Sequence, residues 1–201
     1  VGVFLPLTGD NAAGGELELR GIKLANKIHP TVLGKKVELV VADNKSDKAE
    51  SASVAARLIE KDKVVTLIGT YGSSLAMAAG NIVKEAKVPA IGTSCTNPQV
   101  TANNDYYFRA CFIDPFQGTV MANYAYKNGA RKVAIVQEVS NDYSVGLAKF
   151  FKDAFVKLTN DPDCIVDIAN YQTGDKDFTA VLISLKAKNP DAVFAPGNFT
   201  E

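Results

Sequence analysis

The sequence of 201 residues contains no tryptophan, three cysteines and a single histidine, His29. Structural zinc sites usually need four clustered cysteine, histidine or carboxylate ligands, whereas Cys95, Cys111 and Cys164 are widely separated. We therefore expect no metal site and no cofactor. The odd number of cysteines cannot be fully paired within the chain, so the cysteines do not indicate a cellular compartment.

The sequence also lacks an excess of charge of either sign, because 22 Lys and Arg residues balance 22 Asp and Glu residues. A nucleic-acid surface needs a surplus of basic side chains on one face, so nucleic acid is not an expected partner. No run approaches the ~18 consecutive apolar residues of a membrane span, and no charged-then-apolar leader precedes Val1. We expect a soluble chain from which any export signal has been removed.

Short apolar runs alternate with segments whose apolar residues recur at helical spacing, and Ser46 is the expected N-cap of the second helix. Such alternation is typical of a parallel sheet covered by helices on both faces. The predicted strands are residues 1–5, 37–43, 64–68, 88–91, 132–136, 165–168 and 192–195. The alternation breaks between Gly92 and Asp114 and restarts after Pro115. We therefore predict an α/β protein with two doubly wound parallel-sheet lobes, residues 1–114 and 115–201.

Polar loops follow four of the predicted strands, at the sheet end where doubly wound folds bind ligands. The loop at residues 69–74 places Ser73 and Ser74 at the start of a helix, where hydroxyl and NH groups suit a carboxylate. A serine at this position is equally common as an N-cap that needs no ligand. The glycine spacing matches neither the dinucleotide motif nor the P-loop, which disfavours a nucleotide.

The other three loops also carry side chains that can bind a ligand. Ser94 and Thr96 follow the fourth of these strands, although the Thr-Asn-Pro sequence there forms a good turn without any ligand. In the second lobe, Tyr143 stands at the start of a helix, and Phe199 lies in the loop after the last strand. These residues are candidates because all four loops lie at strand ends.

Several short motifs follow one another in a characteristic order over nearly the whole chain. They are Ile68-Gly69-x-x-x-Ser73-Ser74, Ile91-x-x-x-x-Thr96-Asn97-Pro98, Phe108-Arg109, Asp114-x-x-Gln117-Gly118, Asp142-Tyr143-x-x-Gly146 and Gly174-x-Lys176-Asp177-Phe178. With these motifs the sequence resembles the periplasmic leucine/isoleucine/valine-binding proteins. These are extracytoplasmic solute receptors of ABC transporters with the type I periplasmic binding fold.

The resemblance implies roles for individual residues of the first lobe. In that family, the serine at the position of Ser73 and the threonine at that of Thr96 bind the α-carboxylate of an amino acid. The backbone carbonyl near Ser94 and the Thr96 hydroxyl would accept hydrogen bonds from the ligand ammonium group. Family members also pair this ammonium group with an acidic residue of the second lobe.

In the second lobe, Tyr143 matches a family tyrosine that closes over the ligand. Phe199 matches an aromatic position that lines the pocket for the ligand side chain. Asp114 matches an aspartate at the lobe crossing, where it orients polar groups. Capping of the next helix by Asp114 is an equally good interpretation.

The sequence departs from the family at positions that bear on specificity. A tryptophan of branched-chain amino-acid receptors falls here on Gly14, and Tyr71 occupies a pocket position that is aliphatic in those receptors. We therefore widen the expected ligands to neutral amino acids, aliphatic or aromatic. The family's first-lobe disulfide is not expected, because its positions fall near residues 45–46 and on Gly72.

Members of the family are much longer than this chain, so we expect both lobes to be incomplete and the acidic ammonium partner to lie beyond Glu201. Association through the incomplete lobes, for example in a dimer that supplies the missing elements, is a hypothesis.

The resemblance implies an extracytoplasmic protein that captures a small amino acid between two closing lobes for ABC-transporter uptake. Its partners would be the ligand and the transporter membrane subunits, and its location periplasmic or extracellular and membrane-associated. A sensory ligand-binding domain of a receptor or regulator is the alternative. An enzyme with Ser73, Cys95 or Thr96 as nucleophile is disfavoured, because His29 is expected at the far end of the first helix.

Overall fold

Parallel strands that alternate with helices build the protein, as seen in a computed structural model that describes residues 1–198. The strands are β1 (Gly2–Leu5), β2 (Thr31–Val32), β3 (Lys35–Lys36), β4 (Val40–Asp43), β5 (Leu67–Ile68), β6 (Ala90–Gly92), β7 (Tyr107–Arg109), β8 (Val133–Glu138), β9 (Ile165–Tyr171) and β10 (Ala192–Phe194). The helices are α1 (Ala12–Ile28), α2 (Lys48–Glu60), α3 (Ser73–Ala86), α4 (Asp114–Lys127), α5 (Asp142–Thr159) and α6 (Thr179–Ala187). The predicted α/β class is confirmed. The chain divides into two compact units, Val1–Cys111 and a second that begins at Phe112.

The first unit contains a five-stranded parallel sheet in the order β4-β1-β5-β6-β7. All four residues of β1 are buried, as expected for a central strand whose two faces are both covered. Helices α2 and α3 pack on one face of this sheet. The core there is formed by Phe4, Ala42, Val54, Leu58, Leu67, Ala76, Ala79, Val83, Ala90 and Tyr107. Because the strands run parallel, the loops that follow β5 and β6 leave the sheet at the same end.

The second unit contains a three-stranded parallel sheet in the order β10-β8-β9. Strand β8 supplies Val133 and Ile135 to one hydrophobic cluster and Ala134 and Val136 to another, so both faces of this sheet are covered. Helices α4 and α5 cross closely at Gly118, where an added Cβ would lie 2.7 Å from the backbone nitrogen of the α5 residue opposite. A larger residue at this position would push the two helices apart.

Two local expectations for the first unit are wrong. Residues 31–36 form a small antiparallel hairpin of β2 and β3, and the next strand therefore begins at Val40 rather than at residue 37. The N-cap of α2 is Asp47, whose side chain accepts a hydrogen bond from the Glu50 amide at 2.8 Å. Ser46 instead adopts a positive φ of 60°, and its hydroxyl donates to the Thr8 carbonyl.

Among residues 1–198, no helix combines the length and the apolar character that crossing a membrane requires. Over the same residues, His, Cys, Asp and Glu side chains form no group of three or more that could hold a metal ion.

Candidate functional site

The two polar loops of the first unit lie side by side at the carboxyl end of the sheet. Tyr71 and Ser94 form an isolated parallel bridge that extends the pairing of β5 with β6 beyond the strand ends. A second link joins the same loops, because the Asn97 amide donates to the Ser73 hydroxyl over 3.1 Å. The five residues predicted in this unit, Tyr71, Ser73, Ser74, Ser94 and Thr96, are thereby brought together.

Ser73 does not serve as a helix cap. The N-cap of α3 is Gly72, which has a positive φ of 90°, and Ser73 is the first residue of the helix. Its hydroxyl is buried, and the hydroxyl oxygen accepts a hydrogen bond from the backbone NH of Asn97. The hydroxyl proton can therefore be donated to another group. The first NH groups of α3 point out of the helix beside this hydroxyl, so the arrangement suits an anion.

The Thr96 hydroxyl has an unusual environment. The residue is only 7% exposed, and its Oγ1 atom has no hydrogen-bond partner among residues 1–198. A buried hydroxyl without a partner costs roughly 1–3 kcal/mol, so such groups are rare unless a ligand completes them. Thr96 therefore stands out as a group that a ligand would satisfy.

Arg109 fixes the backbone of the second loop. Its guanidinium donates to the carbonyls of Cys95 at 2.8 Å, Asn97 at 2.9 Å and Pro98 at 3.2 Å, and to the Thr101 hydroxyl at 2.7 Å. The planar fork of arginine suits several acceptors at fixed angles. The motif containing Arg109 was recognised in the sequence, but this role was not predicted.

Cys95 packs inside the same loop and is fully buried. An added Cβ on Gly92 would lie 2.0 Å from the Cys95 sulfur, so glycine is required there to seat the thiol. Burial raises the pKa of Cys95 to about 12, which keeps the thiol protonated at neutral pH. A protonated, buried thiol is a poor nucleophile, and this disfavours the enzyme alternative that used Cys95.

A carboxylate from α1 also reaches this loop, and sequence reasoning missed it. Thr93 Oγ1 donates a hydrogen bond to Glu18 Oε2 over 2.5 Å. Burial raises the pKa of Glu18 more than the neighbouring Ser94 and Thr93 side chains lower it. A single glutamate in an amphipathic helix gives no sequence signal that would separate it from a surface residue.

In the second unit, Asp114 and Tyr143 stand in the first turns of neighbouring helices. The Tyr143 hydroxyl accepts a hydrogen bond from Gln117 Nε2 at 3.2 Å, and burial raises the pKa of the Tyr143 phenol. Asp114 is fully buried, but the N-cap of α4 is Ile113, so the alternative in which Asp114 caps this helix is wrong. The acidic side chain in the first turn still interacts favourably with the helix dipole.

The predicted residue Phe199 lies outside the described residues. The loop just before it is held by Ser144, whose hydroxyl donates to the Pro196 carbonyl over 2.5 Å. Ser144 also accepts a hydrogen bond from the Glu138 amide, so the end of β8 and the start of α5 are tied to this loop.

Comparison with known proteins gives a consistent result. The family model described as periplasmic binding protein matches residues 1–200. An amino acid binding protein of Pseudomonas aeruginosa is 33% identical over 202 residues, which cover 98% of this chain and 53% of the relative. The chain thus spans about half the length of the curated relatives it matches.

Three solved structures are also similar over nearly all of this chain. Leucine binding protein LivK from Thermotoga maritima has a TM-score of 0.90 and 43% identity, covering 96% of this chain and 55% of that one. LivJ from Streptococcus pneumoniae, in complex with isoleucine, has a TM-score of 0.87 and 35% identity, covering 98% and 56%. A solute binding protein of an ABC transporter from Rhodopseudomonas palustris, in complex with 3,4-dihydroxy benzoic acid, has a TM-score of 0.85 and 31% identity, covering 96% and 53%. The family match over residues 1–200, together with these likenesses, establishes that the chain belongs to the periplasmic binding protein family.

Proposed function

We propose that this chain is the amino-acid-binding part of a solute-binding protein that delivers neutral amino acids, aliphatic or aromatic, to an ABC transporter. The observation that carries the proposal is the buried Thr96 hydroxyl, which has no hydrogen-bond partner in the part of the chain that the structure describes and lies in a loop joined to the start of α3 through Ser73. A ligand that supplies hydrogen-bond partners there removes the cost of a buried polar group left unsatisfied.

The carboxylate of the ligand would bind at the start of α3. The Ser73 hydroxyl can donate a hydrogen bond to the carboxylate, because its oxygen accepts the backbone NH of Asn97 and its proton is left for another acceptor. Ser74, the second residue of the helix, is half-buried and adds a hydroxyl, and the first NH groups of α3 add donors and a partial positive charge. Together these groups favour a negatively charged carboxylate group over an uncharged group at this end of the ligand.

The ammonium group of the ligand would bind at the loop after β6. Ser94 is exposed while the following residues are buried, so its backbone carbonyl can accept from a ligand at the sheet end. The Thr96 hydroxyl can accept there as well. Arg109 holds the carbonyls on either side of Thr96, so this loop is fixed before a ligand arrives, which reduces the entropic cost of binding.

The ligands of the similar structures belong to two classes, amino acids and aromatic acids, and an experiment has to distinguish between them. Isoleucine in LivJ and 3,4-dihydroxy benzoic acid in the R. palustris protein both carry a carboxylate, but only isoleucine carries an ammonium group. We favour an amino acid for this chain, since the more similar structures are those of LivK and LivJ.

Family membership supports a location outside the cytoplasm and small-molecule binding without catalysis. Docking on transporter membrane subunits and association with the membrane are parts of the proposal. Closure of two lobes over the ligand, with Tyr143 contributing from the second unit, stays a prediction.

Isothermal titration calorimetry tests the proposal with L-leucine, L-isoleucine, L-phenylalanine and benzoate. We expect the three amino acids to bind and benzoate to bind more weakly. Thr96→Val should weaken amino-acid binding by about 10- to 100-fold, because a hydrogen bond to a charged group contributes roughly 1.5–3 kcal/mol.

Thr119→Val is the matched control, since Thr119 is exposed on α4 and its hydroxyl donates to the Pro115 carbonyl of the same helix. If only benzoate binds, the ligand class is an aromatic acid and the proposed amino-acid ligand is wrong. If none of the four compounds binds, or if Thr96→Val binds as the wild type does, the proposed site is wrong.

A further inference from the structure

Glu18 connects the first helix to the candidate site across 75 positions of sequence. It lies one helical turn after Gly14 on α1, and its carboxyl group accepts a hydrogen bond from the Thr93 hydroxyl. Thr93 and Ser94 directly precede the buried stretch that contains Thr96. The carboxyl group is therefore attached to the loop at its first residue, whereas Arg109 is attached further along.

The remaining oxygen of Glu18 shows that this contact is internal rather than a surface pairing. Oε1 is buried and, within residues 1–198, has no hydrogen-bond partner. Cys95 and Tyr107 interact electrostatically with Glu18, and both are uncharged at neutral pH because burial raises their pKa values. A carboxyl group in such surroundings gains a favourable contact from the Thr93 hydroxyl.

We propose that Glu18 is the positioning residue of the loop segment Thr93–Thr96, because it holds the Thr93 hydroxyl and thereby fixes the Ser94 carbonyl and the Thr96 hydroxyl that follow it. The segment then has two anchors, Glu18 at its start and Arg109 at its end. Removal of the first anchor frees the residues that would accept the ligand ammonium group. This last consequence rests on the proposed function, whereas the anchoring itself does not.

Hydrogen–deuterium exchange of the ligand-free protein tests the anchoring. We expect Glu18→Ala to speed exchange in a peptide covering residues 93–97 by roughly fivefold or more, while peptides from β1 and α2 stay as in the wild type. Glu18→Gln keeps an acceptor oxygen and should restore the slow exchange. Glu16→Ala is the matched control, because Glu16 lies on the same helix and pairs with Arg20 at the surface.

A second pair of variants tests the same contact from the loop side, in case Glu18→Ala does not fold. Thr93→Val removes the hydroxyl and should reproduce the faster exchange, whereas Thr93→Ser keeps the hydroxyl and should not. Unchanged exchange at residues 93–97 in Glu18→Ala or Thr93→Val overturns the proposal. So does an equal increase over the whole first unit, which would indicate a loss of general stability only.

Isothermal titration calorimetry with L-leucine tests whether loss of the Glu18 contact also weakens ligand binding. We expect Glu18→Ala to bind L-leucine at least about tenfold more weakly than the wild type, and Glu18→Gln to bind within about threefold of it. If L-leucine does not bind the wild type, the proposed ligand is wrong while the exchange experiment still decides the role of Glu18. Equal affinities of Glu18→Ala and the wild type overturn the link between anchoring and binding.

Discussion

The ring of Tyr71 lies directly against Gly14, and a Cβ added to Gly14 would stand 2.5 Å from Tyr71 Cε2. The two departures from the family pattern that the sequence places 57 positions apart are therefore one arrangement in space. Glycine on α1 makes room for an aromatic ring that comes from the loop after β5. Each residue fits the other, so neither can be interpreted alone as a gain or loss of pocket volume.

This contact predicts that the effect of Gly14→Ala on the free energy of unfolding changes sign when Tyr71 is replaced by alanine. Gly14→Ala in the wild type forces the Tyr71 ring to move and should destabilise the protein by about 1–2 kcal/mol, because overpacking exceeds the gain in helix propensity. In a Tyr71→Ala background the clash is absent, and the same substitution should stabilise by about 0.5–1 kcal/mol. Urea unfolding measures both values.

Gly21→Ala is the control for this cycle, since Gly21 lies on the same helix and an added Cβ there meets no atom within 4 Å. It should stabilise the protein by about the same amount whichever residue is at position 71. A Gly14→Ala effect that is independent of Tyr71 would show that the ring can move without cost.

The cysteines should differ sharply in reactivity. Cys95 is fully buried and burial raises its pKa to about 12, whereas Cys111 is partly exposed. We expect iodoacetamide at pH 8 to modify Cys111 in the native protein and to leave Cys95 unmodified, as measured by peptide mass spectrometry. In urea all three cysteines should react. Modification of Cys95 as fast as that of Cys111 under native conditions would contradict the closed packing of this loop.

Glu18 should give the protein a distinctive dependence of stability on pH. Because burial raises the pKa of Glu18 above its ordinary value of 4.5, the native protein binds this proton more tightly than the unfolded chain does. Its contribution to stability is present at pH values below 4.5 and is lost as the pH rises through the raised pKa. Glu18→Gln carries no charge at any pH, so it should have a higher melting temperature than the wild type at pH 7–8.

This difference in melting temperature should shrink as the pH falls towards 4, and thermal unfolding between pH 4 and 8 checks it. Glu16→Gln serves as the control, because the Glu16 side chain is 58% exposed and should show no such trend. A wild type that is more stable than Glu18→Gln at pH 8 would mean that the hydrogen bond from the Thr93 hydroxyl outweighs the cost of burying the charge.

The sequence signals that succeeded are local ones. The alternation of apolar runs and helices predicted the class of fold, and the polar residues after β5 and β6 were correctly placed at one sheet end, because parallel strands bring those loops together. Glu18 and Arg109 were not predicted as loop anchors. Their partners lie 75 and 8–14 positions away, and a hydrogen bond at such a distance depends on the packed structure.

The helix-cap predictions failed for a related reason. Ser46 and Asp47 are both good N-cap residues, and the sequence does not say which of them the backbone will place at the start of the helix. The tertiary contact of the Ser46 hydroxyl with the Thr8 carbonyl favours the cap at Asp47. The hairpin at residues 31–36 had a sequence signal that could have been used, which is the glycine at position 34. Glycine favours tight hairpin turns because it adopts a positive φ easily, and Gly34 has a φ of 76° in this turn.

Arg109 provides the most direct test of whether the loop is held in place before a ligand arrives. Lysine keeps the positive charge but has only three N–H donors on one nitrogen, so Arg109→Lys should leave at least one of the four acceptors without a protein partner. We expect a loss of about 1–3 kcal/mol in the free energy of unfolding, measured in urea. Arg20→Lys is the control, because the Arg20 side chain is 75% exposed and should tolerate the change within about 0.5 kcal/mol. If the two substitutions have equal effects, the four hydrogen bonds of Arg109 are replaced by water at no cost, and the fixed loop geometry does not depend on them.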